Sequence, residues 1–326
     1  VKVKGNIVTS TPKAHSGRRG WADVFFKALT AVSAGVVVLL IVAIFFRLVW
    51  DARPSLKEFG LGFLASSEWN QVTSHFGAVS SIFGTCVSTL IAMALAVPLS
   101  LIIALLLVEL AHPVVSRIVG TSIELLAAIP SIIYGMWGLF VLRPIMQETV
   151  EPWLHGRFGW IPGLDLLLPG SGDGLGMLTA GVILALMVLP FITAVSRDSL
   201  AMVPPVLKEA AHGMGSTTWE ATRKVSLRYC RSGIAGALFL GLGRALGETM
   251  AVTFVIGNSN RVSASLFAAS NTIASKLANE FTEADEVMHM SSLVELALVL
   301  FVITFIFQVL AHLWLGRQAR MSGVHA

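Results

Sequence analysis

An arginine and a glutamate stand inside an otherwise apolar run, Gly241-Leu242-Gly243-Arg244-Ala245-Leu246-Gly247-Glu248-Thr249-Met250. A charge at the centre of a bilayer-crossing helix costs about 2.5–3.5 kcal/mol on insertion scales, so Arg244 and Glu248 are candidates for function before anything else is known. At i, i+4 they share a helical face and can neutralise one another. Two readings of the pair stand. It can lock two helices together and do nothing more. Alternatively, Arg244 lines a path for an oxyanion, its planar donors meeting phosphate or sulfate oxygens in pairs, while Glu248 tempers the field so that the anion is released again. Gly243 and Gly247 form a small-xxx-small pair that lets another helix approach. Glu124 is the third candidate, near the inner edge of another apolar run. It can pair with Arg244 or a partner chain, or sit solvated at the interface. Glu295 reads as interfacial, and His112 and His212 as surface residues. The sequence shows no metal-ligand cluster and no nucleophile constellation, so no catalytic residue is assigned.

The elements that position these residues are membrane spans. The 326 residues are 55% hydrophobic and only 13% charged, against about 25% charged in soluble domains. Six runs reach the ~20 residues needed to cross hydrocarbon: 28–50, 79–108, 118–142, 176–196, 233–257 and 292–315. This predicts an all-α membrane protein with a six-span domain over 28–316, flanked by tails 1–27 and 317–326. The first run is longer than the apolar core of a signal peptide and reads as a retained span. Pro98, Pro130 and Pro190 lie inside spans, where a freed carbonyl is tolerable only against protein or water. Cys86 falls in an apolar run and Cys230 in a polar loop, with no paired framework.

Lys and Arg placement gives the orientation. With the N-terminus inside, inner segments hold Lys2, Lys4, Lys13, Arg18, Arg19, Lys27, Arg117, Arg197, Lys208, Arg223, Lys224, Arg228, Arg231, Arg317 and Arg320. Outer segments hold only Arg47, Arg53, Lys57, Arg143, Arg157, Arg261 and Lys276. Both termini are therefore expected in the cytoplasm, and the net charge of +4 is spent on orientation, which argues against nucleic acid. Loops 51–77, 143–175 and 258–291 then face outward. The turn-rich Pro169-Gly170-Ser171-Gly172-Asp173-Gly174 lacks the Lys-Ser/Thr of a P-loop and reads as a flexible outer loop. Trp137, Trp153, Trp160 and Trp314 sit where aromatic belts occur.

The largest inner loop, 197–232, reads as a helix-turn-helix. Pro204-Pro205 suits a helix start, Gly213 and Gly215 break it, and Thr217-Thr218 can cap a second helix ending near Leu227. Ala210 and Ala211 are small enough for a partner to approach closely. Glu209-Ala210-Ala211, three residues, Gly215, nine residues, then Val225-Ser226-Leu227 resembles the EAA motif of binding-protein-dependent ABC importer permeases (type I, MetI-like). Arg228 stands where that family usually has proline, leaving the exit of the second helix less defined than the turn. Segments 124–140 (ELLAAIPSIIYGMWGLF) and 241–258 (GLGRALGETMAVTFVIGN) resemble the permease subunits of bacterial high-affinity phosphate importers, the PstC family, and Arg197-Asp198 fits the same pattern.

That resemblance implies a bacterial inner-membrane subunit that forms half of a phosphate pathway. Arg244 and Glu248 would serve passage, and Glu209, Ala210, Ala211 and Gly215 would dock on an ATPase. It implies a PstA-like second permease, two PstB-like ATPase subunits that bind ATP and Mg on their own chains, and a PstS-like phosphate-binding protein. No cofactor is expected on this chain. Three alternatives remain at this stage: a permease for sulfate or molybdate, an integral membrane enzyme using Glu124, Glu248 and Arg244, and a phosphate-sensing scaffold.

Overall fold

The computed structural model describes residues 21–161, 163–169 and 172–321. The expected orienting charges Lys2, Lys4, Lys13, Arg18 and Arg19 lie outside the described residues, as do Gly170 and Ser171 of the turn-rich stretch. The chain forms two units, 1–47 and 48–326. The first is the greater part of helix α1 (Trp21–Asp51). Its Val36, Leu39, Leu40 and Phe46 are all at least half exposed, a surface that only hydrocarbon or another apolar protein face can cover.

The second unit is built from helices α2 (Val79–Leu105), α3 (Pro113–Ala127), α4 (Ser131–Trp137) and α5 (Met177–Ala201), followed by the loop helices α6 (Pro205–Gly213) and α7 (Thr218–Ala221). Helices α8 (Arg231–Leu246), α9 (Met250–Val255), α10 (Ile273–Glu280) and α11 (Val287–Met321) complete it. A two-residue hairpin pairs Trp69–Asn70 with His75–Phe76. Among the described residues, four helices are long and apolar enough to cross a bilayer: Asp23–Asp51, Val79–Leu110, Met177–Ala201 and Val287–Arg317. The other two expected spans are not continuous helices. One is a bent pair, Pro113–Ala127 followed by Ser131–Phe158, turned by 90°. The other is divided between α8, of 16 residues, and the six-residue α9.

The centre of the second unit is the seam between α2 and α5. Ser80, Gly84, Ser88, Ala92, Ala96, Ser100 and Ala104 recur every fourth residue along α2, and all are buried. Such a stripe lets two backbones approach closely, the packing that works in a bilayer, where lipid tails are as apolar as leucine. From the facing helix, Gly181 meets Ile91, and Leu189 accepts a hydrogen bond from Ser100 Oγ at 3.0 Å. Ile183, Leu184, Val188 and Ile192 of α5 fill the core with Ala237 and Ala245 of α8 and Ala251, Val252 and Val255 of α9.

Beyond the N-terminal end of α2, the 256–272 connection is held against that helix. A side chain at Gly84 would strike the Asn271 carbonyl, and Thr85 Oγ1 accepts from Ile273 N at 3.0 Å. Glu295, expected at an interface, is instead 3% exposed. Cys230, expected in a polar loop, is buried, and its thiol donates to Ser199 O at 2.9 Å.

Candidate functional site

Two helix breaks lie side by side. The first has a proline as its cause. Pro130 has no N–H for the Leu126 carbonyl, and the residue before a proline is pushed out of the helical region, so α3 ends at Ala127. The freed carbonyl is satisfied across the break, accepting from Ile129 N at 3.3 Å and from the Tyr134 hydroxyl at 2.9 Å. The second break has no proline. Helix α8 ends at Leu246, and α9 restarts at Met250. Glu248 Oε1 accepts from Ala251 N at 3.3 Å, so the carboxylate sits at the start of α9, where free amides and the helix dipole favour an anion.

Helices α4 and α9 pack on one another. Gly135 allows it, since a Cβ there would lie 2.7 Å from Phe254 and 3.0 Å from Ala251 Cα. Three residues on, a Cβ at Gly138 would lie 2.8 Å from Val255. The register runs in the same direction along both helices, which brings their first turns level and sets the two breaks beside each other. Tyr134 lies within electrostatic reach of Arg244.

This geometry corrects the helical reading of span five. Arg244 is in the last turn of α8, and Glu248 lies beyond its end. The two do not share a continuous helical face, and among the described residues no ion pair joins them. Arg244 is exposed and Glu248 half-buried. Of the glycine pair, Gly243 faces another helix, where a Cβ would lie 3.0 Å from Gln308 Nε2 of α11; Gly247 is in the break.

Glu124 pairs with neither Arg244 nor solvent alone. Its Oε1 is 2.6 Å from Arg197 Nη2, which also reaches Asp198 Oδ1 at 3.3 Å. Gly120 leaves the space in which the guanidinium lies. A second pair, Lys208–Glu109 at 2.9 Å, ties α6 to the π-helical turn Leu106–Leu110 that follows α2. Reading residues singly overlooked Arg197 and Lys208 as site partners, because their acids lie far away in sequence.

The 197–232 segment folds as a helix-turn-helix. Helix α6 stops at Gly213, and Gly215 takes φ +85°, the left-handed region that glycine enters without strain. Thr217 caps α7 in a reciprocal box with Glu220. Those hydrogen bonds, with Lys224 nearby, hold the Glu220 carboxyl below its ordinary range. The second arm continues through Thr222–Ser226 to Tyr229, slightly past the expected Leu227. Glu209 and Ala210 are exposed, but Ala211 is 3% exposed and packs inside the chain. It is thus a packing residue of the turn, and only Ala210 of the two offers a small surface outward.

A family model described as binding-protein-dependent transport system inner membrane component matches residues 96–318. The chain belongs to this family. The matched region takes in both breaks, both ion pairs and the helix-turn-helix of this inner membrane component. The chain is also 49% identical over 316 residues to the phosphate transport system permease protein PstC of Mesorhizobium japonicum, covering 97% of each chain. It is 48% identical over 315 residues to PstC of Xylella fastidiosa, again covering 97% of each. Among solved structures, an inward-facing MetNI methionine ABC transporter aligns with TM-score 0.49 and 17% identity, covering 73% of this chain and 93% of that one.

Proposed function

We propose that the chain is the transmembrane subunit of an ATP-driven importer of inorganic phosphate, contributing half of the translocation path. The observation that carries this reading is the near-50% identity to phosphate transport permeases, which extends through almost the whole chain, including the breaks around Arg244 and Glu248. The chemistry agrees. Arg244 is a permanent cation with bidentate donors and no ion partner among the described residues, next to two discontinuous helices, the arrangement that membrane transporters use to receive an anion. Glu248 lowers the local field, so that binding stays weak enough for release. Glu124, its charge met by Arg197 at 2.6 Å, lies further toward the coupling segment, at the cytoplasmic mouth of the same path.

In this reading both termini and the 197–232 segment face the cytoplasm, and the 258–291 connection faces outward. A PstA-like permease supplies the other half of the path, a PstS-like protein delivers phosphate, and two PstB-like subunits bind ATP and Mg. Reconstitution of the chain with those companions tests the substrate. Labelled phosphate should accumulate with ATP, unlabelled phosphate should compete, and equimolar sulfate or molybdate should not. Equal competition by sulfate would overturn phosphate in favour of a general oxyanion path.

The ATPase would receive the turn through Glu209, Ala210 and Gly215, surrounded by the exposed Val206, Met214 and Trp219. Gly215→Asp tests this docking. Its φ of +85° makes any side chain strained by roughly 1 kcal/mol, and a carboxylate enters an apolar contact. Co-purification of the ATPase subunit should fall about tenfold, while the chain itself is recovered normally. Unchanged recovery of the ATPase would remove Gly215 from the interface.

A further inference from the structure

We propose that the Arg197–Glu124 ion pair is a latch on the cytoplasmic half of the path, holding the half-span α3 against α5 until the coupling segment moves. The proposal rests on the reading of the chain as an alternating-access permease and goes beyond it by assigning the moving part and its fastening. Helix α3 is only 15 residues long, and the chain turns by 90° at its end. It is therefore a lever with a bend at one end, shorter than a full crossing. Arg197 grips it one turn from that bend, through Glu124 at 2.6 Å, with its guanidinium resting on Gly120.

The grip is connected to the driven segment by covalent geometry. Arg197 lies four residues before the end of α5 at Ala201, and α6 begins at Pro205. Lys208 of α6 holds Glu109 at 2.9 Å, directly ahead of the start of α3 at Pro113. The helix that would meet the ATPase is thus fastened to both ends of the region that must yield: to α5 by the chain and to the approach to α3 by an ion pair. Arg197 is 23% exposed and Glu124 51%, so the pair is not locked in a core. Its strength is of the order a conformational switch can overcome. A positioning role fits these residues, since neither is among the groups at the breaks.

The test uses the full assembly in liposomes. Arg197→Gln and Glu124→Gln should each raise ATP hydrolysis in the absence of the binding protein about fivefold or more. Each should also increase labelling of an Ala127→Cys reporter, in a background with both native cysteines replaced by serine, by a membrane-impermeant maleimide supplied on the cytoplasmic side. The exchanged pair Arg197→Glu with Glu124→Arg should return both readouts toward the starting values. If both single variants keep tight ATPase control and an unlabelled reporter, the latch is overturned. It is equally overturned if the exchanged pair behaves as the sum of the two single changes. Should Arg197→Gln fail to assemble, Glu124→Gln carries the same two readouts. Neither readout depends on which anion is carried, so a failure of phosphate selectivity is distinguishable from a failure of the latch.

Discussion

Arg244→Gln is expected to abolish phosphate uptake while the chain still assembles with its companions. Glutamine keeps a polar head with two N–H donors on a shorter stem but loses the charge and the paired fork. A hydrogen bond to a charged group contributes about 1.5–3 kcal/mol, and loss of two such bonds lowers uptake at limiting phosphate by at least a hundredfold. The geometry separates this outcome from a purely structural one. If Arg244 and Glu248 were a lock between helices, removing either should damage assembly equally. They occupy different elements, the last turn of α8 and the start of α9, and among the described residues no ion pair joins them. Glu248→Gln, which can still accept from Ala251 N, is accordingly expected to be milder. Co-purification and uptake measured on both variants decide the matter. Loss of assembly in Arg244→Gln, or undiminished uptake, would each remove the pathway role.

The second large effect lies on α10, where a buried lysine has gathered its partners. Lys276 has a side chain 2% exposed, and its Nζ donates to Asn260 Oδ1 at 2.6 Å and Glu280 Oε1 at 3.0 Å, while lying 4.1 Å from the centre of the Trp69 ring. Glu280 Oε2 accepts from Trp69 Nε1 at 2.8 Å and lies 3.1 Å from His289 Nε2. The cluster fastens α10 to the 69–76 hairpin and to α11. Glu280→Ala leaves the lysine charge and the indole donor without their acceptor. Breaking one side of a buried pair costs about 3 kcal/mol or more, so amide exchange across 273–280 should accelerate about a hundredfold. Burial raises the Glu280 carboxyl, but Lys276, His289 and Trp69 outweigh it, and the net direction is down. Burial lowers Lys276, and Glu280 only partly offsets it. The sign for Glu280 follows. A carboxyl depressed in the folded state contributes stability above its unfolded value of about 4.3 and loses it as pH falls through the folded value. The wild-type segment should therefore begin to exchange faster only below about pH 4. The variant should already be fast at pH 7 and lack this acid step; slow exchange at pH 7 would contradict the assigned role of the cluster.

Several elements of this molecule are plain in its sequence, and the reasons the others are not are physical. The helix-turn-helix of 197–232 is legible because its signals are local: a proline pair, glycines at the turn and a Thr–Glu capping box. The intramembrane charges are legible because they interrupt apolar runs. The breaks differ from each other. Pro130 announces the first, but nothing in 241–258 marks Gly247–Thr249 as non-helical, because the glutamate that caps α9 looks in sequence like an i+4 partner of Arg244. The stripe Ser80, Gly84, Ser88, Ala92, Ala96, Ser100 and Ala104 is also in the sequence at strict spacing four, and a search for small residues rather than charges finds it. The partners of Glu124 and Lys208 are different again. Arg197 is 73 residues from Glu124, and only packing of α3 on α5 brings them together. The burial of Ala211 depends in the same way on the second arm folding back.

The α2 stripe has a mechanical consequence. The helix and its final π turn are secured at both extremities, at Gly84 and Thr85 to the 271–273 backbone, and at Glu109 to Lys208. The 25 residues between these points span about 38 Å at helical rise. Between them the small side chains of the stripe and Gly181 bring the backbones of α2 and α5 close together. A continuous helix that tilts on a close contact along its length moves its two ends in opposite directions. A tilt imposed at Glu109 would shift the 271–273 backbone the other way in the same motion.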